Sequence, residues 1–399
     1  MKILHLNYSD SSGGAAIAVN RIHNLLLKEN FNSKILVNEK LSNGDNVLYH
    51  KSTLKHIRGL IYDSISRKIL NNLKNINKDT SNSLCLYPTG LHKKINDINP
   101  DIVNFHWLGN SMISLKEISK IKAPIVWTLH DMWPMCGIEH YSTNTKYFTD
   151  YNNSSRKILD IDEFVWRRKI KFFKNIKKVI CTSDWMYKMA SDSIIFKDKK
   201  IKEIPLTLDT DFWKPQNKID QRKNLNIEAD KKVITFGADN FLKNNRKGFN
   251  FFSECVKKFL NDEKYTIILF GETKNIDIAK NSSNVLNLGF VKDKYTLRMI
   301  FSSTDVMVVP SLIESFGMIA LEALHCGTPS VVFDNTGLTS ITEHKVNGYI
   351  SKHKSSDDLR NGVEWLLNNK DLIKNNINKS IEKFSNKSVV NKYINFLKE

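Results

Sequence analysis

Residues 310–329 run Pro310-Ser311-Leu312-Ile313-Glu314-Ser315-Phe316-Gly317-Met318-Ile319-Ala320-Leu321-Glu322-Ala323-Leu324-His325-Cys326-Gly327-Thr328-Pro329, preceded by Asp305-Val306-Met307-Val308-Val309. A valine-rich run, a Ser-Phe-Gly turn and an apolar stretch predict strand, loop and helix, with Glu314 in the loop and Glu322 in the helix. In an open parallel sheet, ligands bind outside the carboxyl ends of the strands. A loop that opens a helix also offers free N–H groups and a positive dipole end to an anion. A carboxylate does not bind an anion, so Glu314 and Glu322 are better placed to accept hydrogen bonds from sugar hydroxyls. Polyol plus phosphate is the chemistry of a nucleotide sugar.

The same alternation of short apolar runs with amphipathic ones extends outward in both directions and argues for βα units and parallel sheets. Strands are expected at 2–7, 34–38, 101–106, 124–130, 177–183 and 201–206, then at 232–237, 265–270, 284–289, 305–310 and 330–333. Helices are expected at 14–29, 162–175, 248–260, 292–302, 316–325, 357–367 and 387–398. The region 46–100, rich in Asn and Lys, is expected to hold one or two basic helices and a mobile loop. This is an α/β chain of two Rossmann-like halves. Prolines at 205 and 215 bracket the join, giving domains at 1–206 and 207–385 and a terminal helix, 386–399, that would pack back on the first.

Composition fits a soluble globular protein: 399 residues, 41% hydrophobic and 26% charged. No apolar run approaches the ~20 residues that span a bilayer. The N-terminus reads as a first strand rather than a signal peptide. Five cysteines without CxxC spacing argue against disulfides and structural zinc and for a reducing compartment. The net charge of +18 is uneven. Residues 1–200 hold 31 Lys+Arg against 18 Asp+Glu, and 201–399 hold 29 against 24. The densest stretch, Arg167-Arg168-Lys169-Ile170-Lys171-Phe172-Phe173-Lys174-Asn175-Ile176-Lys177-Lys178, suits an anionic membrane surface if helical. It suits equally a solvated helix packed through Ile170, Phe173 and Ile176. No nucleic-acid-binding motif is evident. The expected location is the cytoplasm, with peripheral contact at the inner face of its membrane.

Four further motifs bear on function. Gly13-Gly14 after the first strand would permit close approach to a phosphate or sugar, though it is not GxGxxG and a plain turn explains it too. His130-Asp131 ends a buried strand, where His130 would bond a sugar hydroxyl with Asp131 orienting it. His106-Trp107 is a parallel case. Arg246-Lys247-Gly248 would neutralise a departing diphosphate, against the alternative of a solvated turn. Asp209-Thr210-Asp211 and Asp160-Ile161-Asp162 match a metal-holding DxD only superficially, and a helix cap explains the second. No metal or other cofactor is expected.

Residues 310–329 resemble the E-x7-E signature of family 4 glycosyltransferases, and the resemblance extends over nearly the whole chain. It implies the GT-B fold, two Rossmann-like domains with parallel sheets facing across a cleft. It also implies a retaining transferase that takes a nucleotide-diphosphate sugar. His106-Trp107 and His130-Asp131-Met132-Trp133-Pro134 are similar to a subgroup that builds bacterial surface polysaccharides such as O-antigen. That subgroup often has cysteines after this segment; the run from Gly137 to Asp150 has none. The resemblance assigns donor-sugar hydroxyls to Glu314, ribose to Glu322, the diphosphate to backbone N–H groups of Ser315, Phe316, Gly317 and Met318 and to Lys247, the base to Val291, and the donor sugar to His130. Gly13, Gly14, His106 and Asp131 complete the expected substrate contacts. Ala238 stands where many members carry an arginine, a place Arg246 would fill. The acceptor would be a saccharide or a polyprenyl-diphosphate-linked saccharide held by the N-terminal domain, and no nucleic acid is involved. A sugar phosphorylase or sugar-phosphate synthase, a non-catalytic nucleotide-sugar-binding scaffold and an NAD(P) oxidoreductase remain as alternatives.

Overall fold

The structure, a computed structural model, describes residues 1–50, 53–73, 76, 80–143, 160–271, 276, 278 and 282–399; the side chains of 53–61 and 63 lie outside that description. The chain folds into two compact units, Met1–Thr207 with Val389–Glu399, and Leu208–Ser388.

The first unit carries a seven-stranded sheet of β1 Lys2–Leu6, β2 Asn32–Val37, β3 Val47–Tyr49, β4 Ile102–Phe105, β5 Ile125–Leu129, β6 Ile176–Cys181 and β7 Lys200–Glu203. The order is β3-β2-β1-β4-β5-β6-β7, parallel throughout. β4 and β5 are buried at every residue, as strands covered on both faces must be. The edge strand β7, Lys-Ile-Lys-Glu, is half-exposed and charged, which discourages pairing with another chain. The helix Asn386–Lys398 completes this core. Its Val389, Val390, Tyr393, Phe396 and Leu397 pack with Ile3, Leu26, Ile102 and Val126. Lys178 Nζ closes the helix end by donating to the carbonyls of Phe396 (2.8 Å) and Leu397 (3.0 Å).

The second unit carries a six-stranded parallel sheet of β8 Lys232–Ala238, β9 Tyr265–Gly271, β10 Val285–Asn287, β11 Val306–Val309, β12 Ser330–Phe333 and β13 Gly348–Ser351, in the order β10-β9-β8-β11-β12-β13. Each sheet therefore reverses its winding once, between β1 and β4 and between β8 and β11. Loops at such a reversal diverge and leave a crevice at the carboxyl ends of the strands.

Each expected strand is present within a few residues of its expected limits; β3 and β13 are additional. The helices Thr53–Asn72 and Leu91–Ile98 occupy the 46–100 region. The loop expected there, and the run that reaches Asp150, lie partly outside the described residues. Two expectations for the basic stretch change. In the helix Ile161–Phe172 the buried face is Val165, Trp166 and Lys169, while Ile170 is exposed. Lys169 donates to the carbonyls of Trp133, Cys136 (2.9 Å) and Gly137 (2.6 Å), and its ammonium lies 3.7 Å from the Trp133 ring centroid. A lysine in the middle of a cationic run thus pins the loop after β5 instead of facing solvent. Asp160 caps this helix by accepting from the N–H groups of Asp162 and Glu163.

Candidate active site

In the second unit the reversal between β8 and β11 brings together residues 67 and 68 positions apart. Lys247 Nζ donates to Glu314 Oε2 at 2.7 Å, and Arg246 Nη1 donates to the same oxygen at 3.3 Å. Ser311 Oγ lies 3.4 Å from it. Among the described residues, no group bonds Glu314 Oε1. The side chains are 12% exposed for Glu314, 14% for Arg246 and 21% for Lys247, so the cluster is shielded yet reachable.

Backbone bonds fix the loop that carries Glu314. Leu312 N–H donates to Arg246 O (2.8 Å), Arg246 Nη1 donates to Ile313 O (2.7 Å), and Gly337 N–H donates to Glu314 O (2.7 Å). Two glycines permit this closeness. Gly248 has φ +72°, and a Cβ there would fall 1.8 Å from Pro310 O; Gly317 has φ +100° and opens the helix Met318–His325. Burial opposes ionisation of Glu314, but Lys247 and then Arg246 outweigh it and hold its pKa at about 2. Burial lowers the pKa of Lys247, and the Glu314 carboxylate works against that fall. The site is therefore a fixed carboxylate with two fixed cations beside a helix start.

Phe316 is buried and serves the core, with its ring 6.1 Å from that of Phe384. Ser315 is buried too, so what this turn offers a ligand is backbone. Glu322 sits half-buried on the following helix, and Val291 half-buried in the loop after β10. Ala238 closes β8. Arg246, not a residue at that position, supplies the second cation beside Glu314. The support from Gly337 was not anticipated; its signal was a Thr-Gly pair following β12, at the same sheet end.

In the first unit, Gly13 has φ +85°, and a Cβ at Gly13 or Gly14 would meet nothing within 4 Å. The space over this loop is open. Asp10 anchors the loop by accepting from the N–H groups of Leu41 and Ser42, each at 2.8 Å. Three histidines line up across β1, β4 and β5. His5 Nδ1 lies 3.0 Å from His106 Nε2, and His106 Nδ1 lies 3.0 Å from His130 Nε2. Burial, the first cause for each, lowers His5 to about 3, His130 to about 4 and His106 well below the ordinary value. His5 was not expected at the site because it reads as an ordinary strand residue.

The expectation that Asp131 orients His130 is not met. Successive residues leaving a strand point to opposite sides, and Asp131 turns to His140 Nδ1 (2.5 Å) and Trp133 N–H (3.0 Å). His140 Nε2 in turn meets Ser83 Oγ at 2.8 Å. Asp131 therefore organises the Met132–His140 loop, and His106 is the group that holds His130. Among the described residues no group of three His, Cys, Asp or Glu side chains is placed to hold a metal ion.

Residues 217–383 match the family described as Glycosyl transferases group 1, and residues 66–212 match Glycosyltransferase Family 4. An uncharacterized glycosyltransferase of Methanocaldococcus jannaschii is 31% identical over 195 residues, 46% of this chain and 49% of that one. An uncharacterized protein of the cps region of Klebsiella pneumoniae is 26% identical over 197 residues, 48% of this chain and 53% of that one. The matched segment thus spans about half the length of these curated relatives. The Anabaena protein Alr3699/HepE, solved with UDP and glucose, superposes with a TM-score of 0.65 at 16% identity, covering 100% of this chain and 99% of that one. On its two matched segments and its pair of parallel Rossmann-like sheets, the chain belongs to glycosyltransferase family 4, with the GT-B fold.

Proposed function

We propose that the protein transfers a sugar, with retention at the anomeric carbon, from a nucleotide-diphosphate donor held by the Leu208–Ser388 unit. The observation that carries this reading is the cluster of Glu314, Lys247, Arg246 and Ser311 at the β8/β11 reversal. Its three side-chain bonds converge on Glu314 Oε2. Oε1 is left to accept from hydroxyls of the donor sugar. Lys247 and Arg246 then stand where negative charge grows on the departing diphosphate, aided by backbone N–H groups at the start of the helix Met318–His325. Glu322 would take the ribose hydroxyls and Val291 the base. These fixed cations supply the charge stabilisation, so the reading requires no metal, and chelator should leave turnover unchanged. With no enzyme nucleophile assigned, the acceptor hydroxyl attacks on the face the diphosphate leaves.

The first unit would take the acceptor, with His130 as a hydrogen-bonding group for a bound sugar. The cps-region relative supports a role in bacterial surface polysaccharide, with a saccharide or lipid-linked saccharide as acceptor. The helix Ile161–Phe172 supports peripheral contact with an anionic membrane. It exposes Phe164 and Ile170 beside Arg167 and Lys171, the mixture an interfacial helix uses. No helix among the described residues is long and apolar enough to cross a membrane.

Thermal-shift screening against UDP-, GDP- and ADP-sugars, followed by transfer to a lipid-linked saccharide extract, tests the reading. Stabilisation by one donor class and its consumption are expected. Absence of a shift and of turnover with every donor would overturn it.

A further inference from the structure

The three aligned histidines pose a question of proton placement. Each ring is held neutral, burial being the first cause in each case, so each carries a single N–H. Each contact in the chain needs one donor and one acceptor. Two arrangements satisfy both contacts: the protons all point from His5 toward His130, or all point back.

The far end of the chain decides between them. His5 is 0% exposed, and its Nε2 is buried with no hydrogen-bond partner among the described residues. The His23 ring, 6.3 Å away centroid to centroid, is too distant to accept an N–H. If the protons pointed back, His5 Nε2 would carry a buried N–H with nothing to receive it. Orphaned buried N–H groups are rarer than under-satisfied acceptors. The lower-energy arrangement leaves only a lone pair on His5 Nε2. His5 Nδ1–H then donates to His106 Nε2, and His106 Nδ1–H donates to His130 Nε2. With Nε2 occupied as an acceptor, the proton of His130 sits on Nδ1.

His130 is also the half-buried residue of the three; His5 and His106 are buried. Together with His106 it borders a cavity walled by Ala18, Ile22, Ile180 and Val389. Among the described residues nothing bonds His130 Nδ1.

We propose that His5 and His106 are positioning residues that lock His130 in its Nδ1–H tautomer. His130 then offers the substrate a hydrogen-bond donor, and it does not act as a base. Its partner is an oxygen lone pair of a bound sugar, a clause that rests on the sugar-bonding role proposed above. The nitrogen facing away from the substrate determines which nitrogen of an imidazole carries the proton. An imidazole held in the wrong tautomer loses much of its catalytic use.

Long-range ¹H–¹⁵N correlation spectra of the ¹⁵N-histidine-labelled protein at neutral pH, assigned with His130→Asn, read the tautomer directly. A protonated Nδ1 on His130 in the wild type is expected. A protonated Nε2 would overturn the proposal, whatever the protein's activity. His5→Phe removes the first donor and should leave His130 a mixture of tautomers, with a loss of about tenfold in kcat and little change in donor KM. His106→Gln, which can still accept and donate, should restore the Nδ1–H form where His106→Leu does not. Thermal unfolding reports whether each variant folds, and the wild-type spectrum decides even if none does. A protonated Nδ1 in a protein that transfers no sugar would leave the relay standing and remove the transferase reading instead.

Discussion

The two sheet reversals face the same geometric problem and answer it with opposite electrostatics. Between β8 and β11 the chain gathers charge, one carboxylate and two cations within 3.3 Å of a shared oxygen. Between β1, β4 and β5 it gathers three imidazoles and keeps them neutral. The difference follows from what each end is proposed to meet. A departing diphosphate needs cations already in place, because preorganised charge in a shielded site costs no reorganisation during the reaction. A neutral sugar needs directed hydrogen bonds, which a ring of fixed tautomer supplies. Charge at the first reversal would add nothing there and would carry a burial cost.

Removing the shared carboxylate should have the largest effect. Glu314→Gln takes away the group that holds both cations, and turnover should fall by about 10²–10³. His130→Asn, which removes one neutral hydrogen bond, should cost about 10–10². Steady-state kinetics on the two variants compares them, and a reversed ranking would break the contrast between the charged and the neutral site.

The glycines sharpen the same contrast. Gly248→Ala would place a Cβ 1.8 Å from Pro310 O at a φ of +72°, so about 3 kcal/mol of stability should be lost. Gly13→Ala has the same sign of φ but open space, and about 1 kcal/mol is expected. Denaturant unfolding measures both, and equal losses would mean that the close approach at Gly248 does not constrain the loop.

Acid should separate the two units. His5, His23, His106 and His130 all have pKa values lowered in the fold, burial being the first cause of each. Their unfolded forms take up protons near 6.5 that the folded rings refuse down to about 4 or below. Their contribution is therefore present above pH 6.5 and declines as pH falls from 6.5 toward 4, by about 1.4 kcal/mol per proton per pH unit. Among the described residues the second unit has one such ring, His325, lowered to about 4. Glu314 has its window lower still. Its contribution is intact above 4.5 and is lost as pH falls through about 2. Hydrogen exchange at pH 7 and pH 5 should show protection falling first in β1, β4 and β5, and a parallel fall in β8 and β11 would contradict this.

The smallest effect is expected at the surface. Replacing Arg167 and Lys171 by Ser should weaken binding to anionic vesicles by about tenfold at low salt without altering turnover of a soluble acceptor. Lys169, buried against three carbonyls, is the wrong residue to choose for that test. Equal binding of the wild type to neutral vesicles would remove the membrane reading.

The sequence made one of these sites far more visible than the other. Glu314 and its turn are contiguous, and Arg246-Lys247 precede a glycine at the start of a helix, so the charged cluster is written in two short segments. The histidine chain is not. His5 lies 101 residues from His106, and only the pairing of β1 with β4, which sets His5 opposite Asn104, brings the rings together. β3 is three residues long and β13 begins with a glycine, so neither carries a periodic signal. Asp131 could not be assigned from its place beside His130, because its partner His140 depends on the course of the intervening loop. Lys169 is the converse case, a charge buried between a half-buried Arg168 and an exposed Ile170.

The central claim is that fixed cations beside Glu314 stabilise a departing nucleoside diphosphate. Its most direct test is single-turnover transfer at saturating donor by wild type and Lys247→Ala, with folding checked by thermal unfolding. The account predicts a loss of about 10²–10³ in the transfer rate, about 3–4 kcal/mol in the transition state, with the fold retained. A folded Lys247→Ala that transfers sugar at the wild-type rate would contradict it.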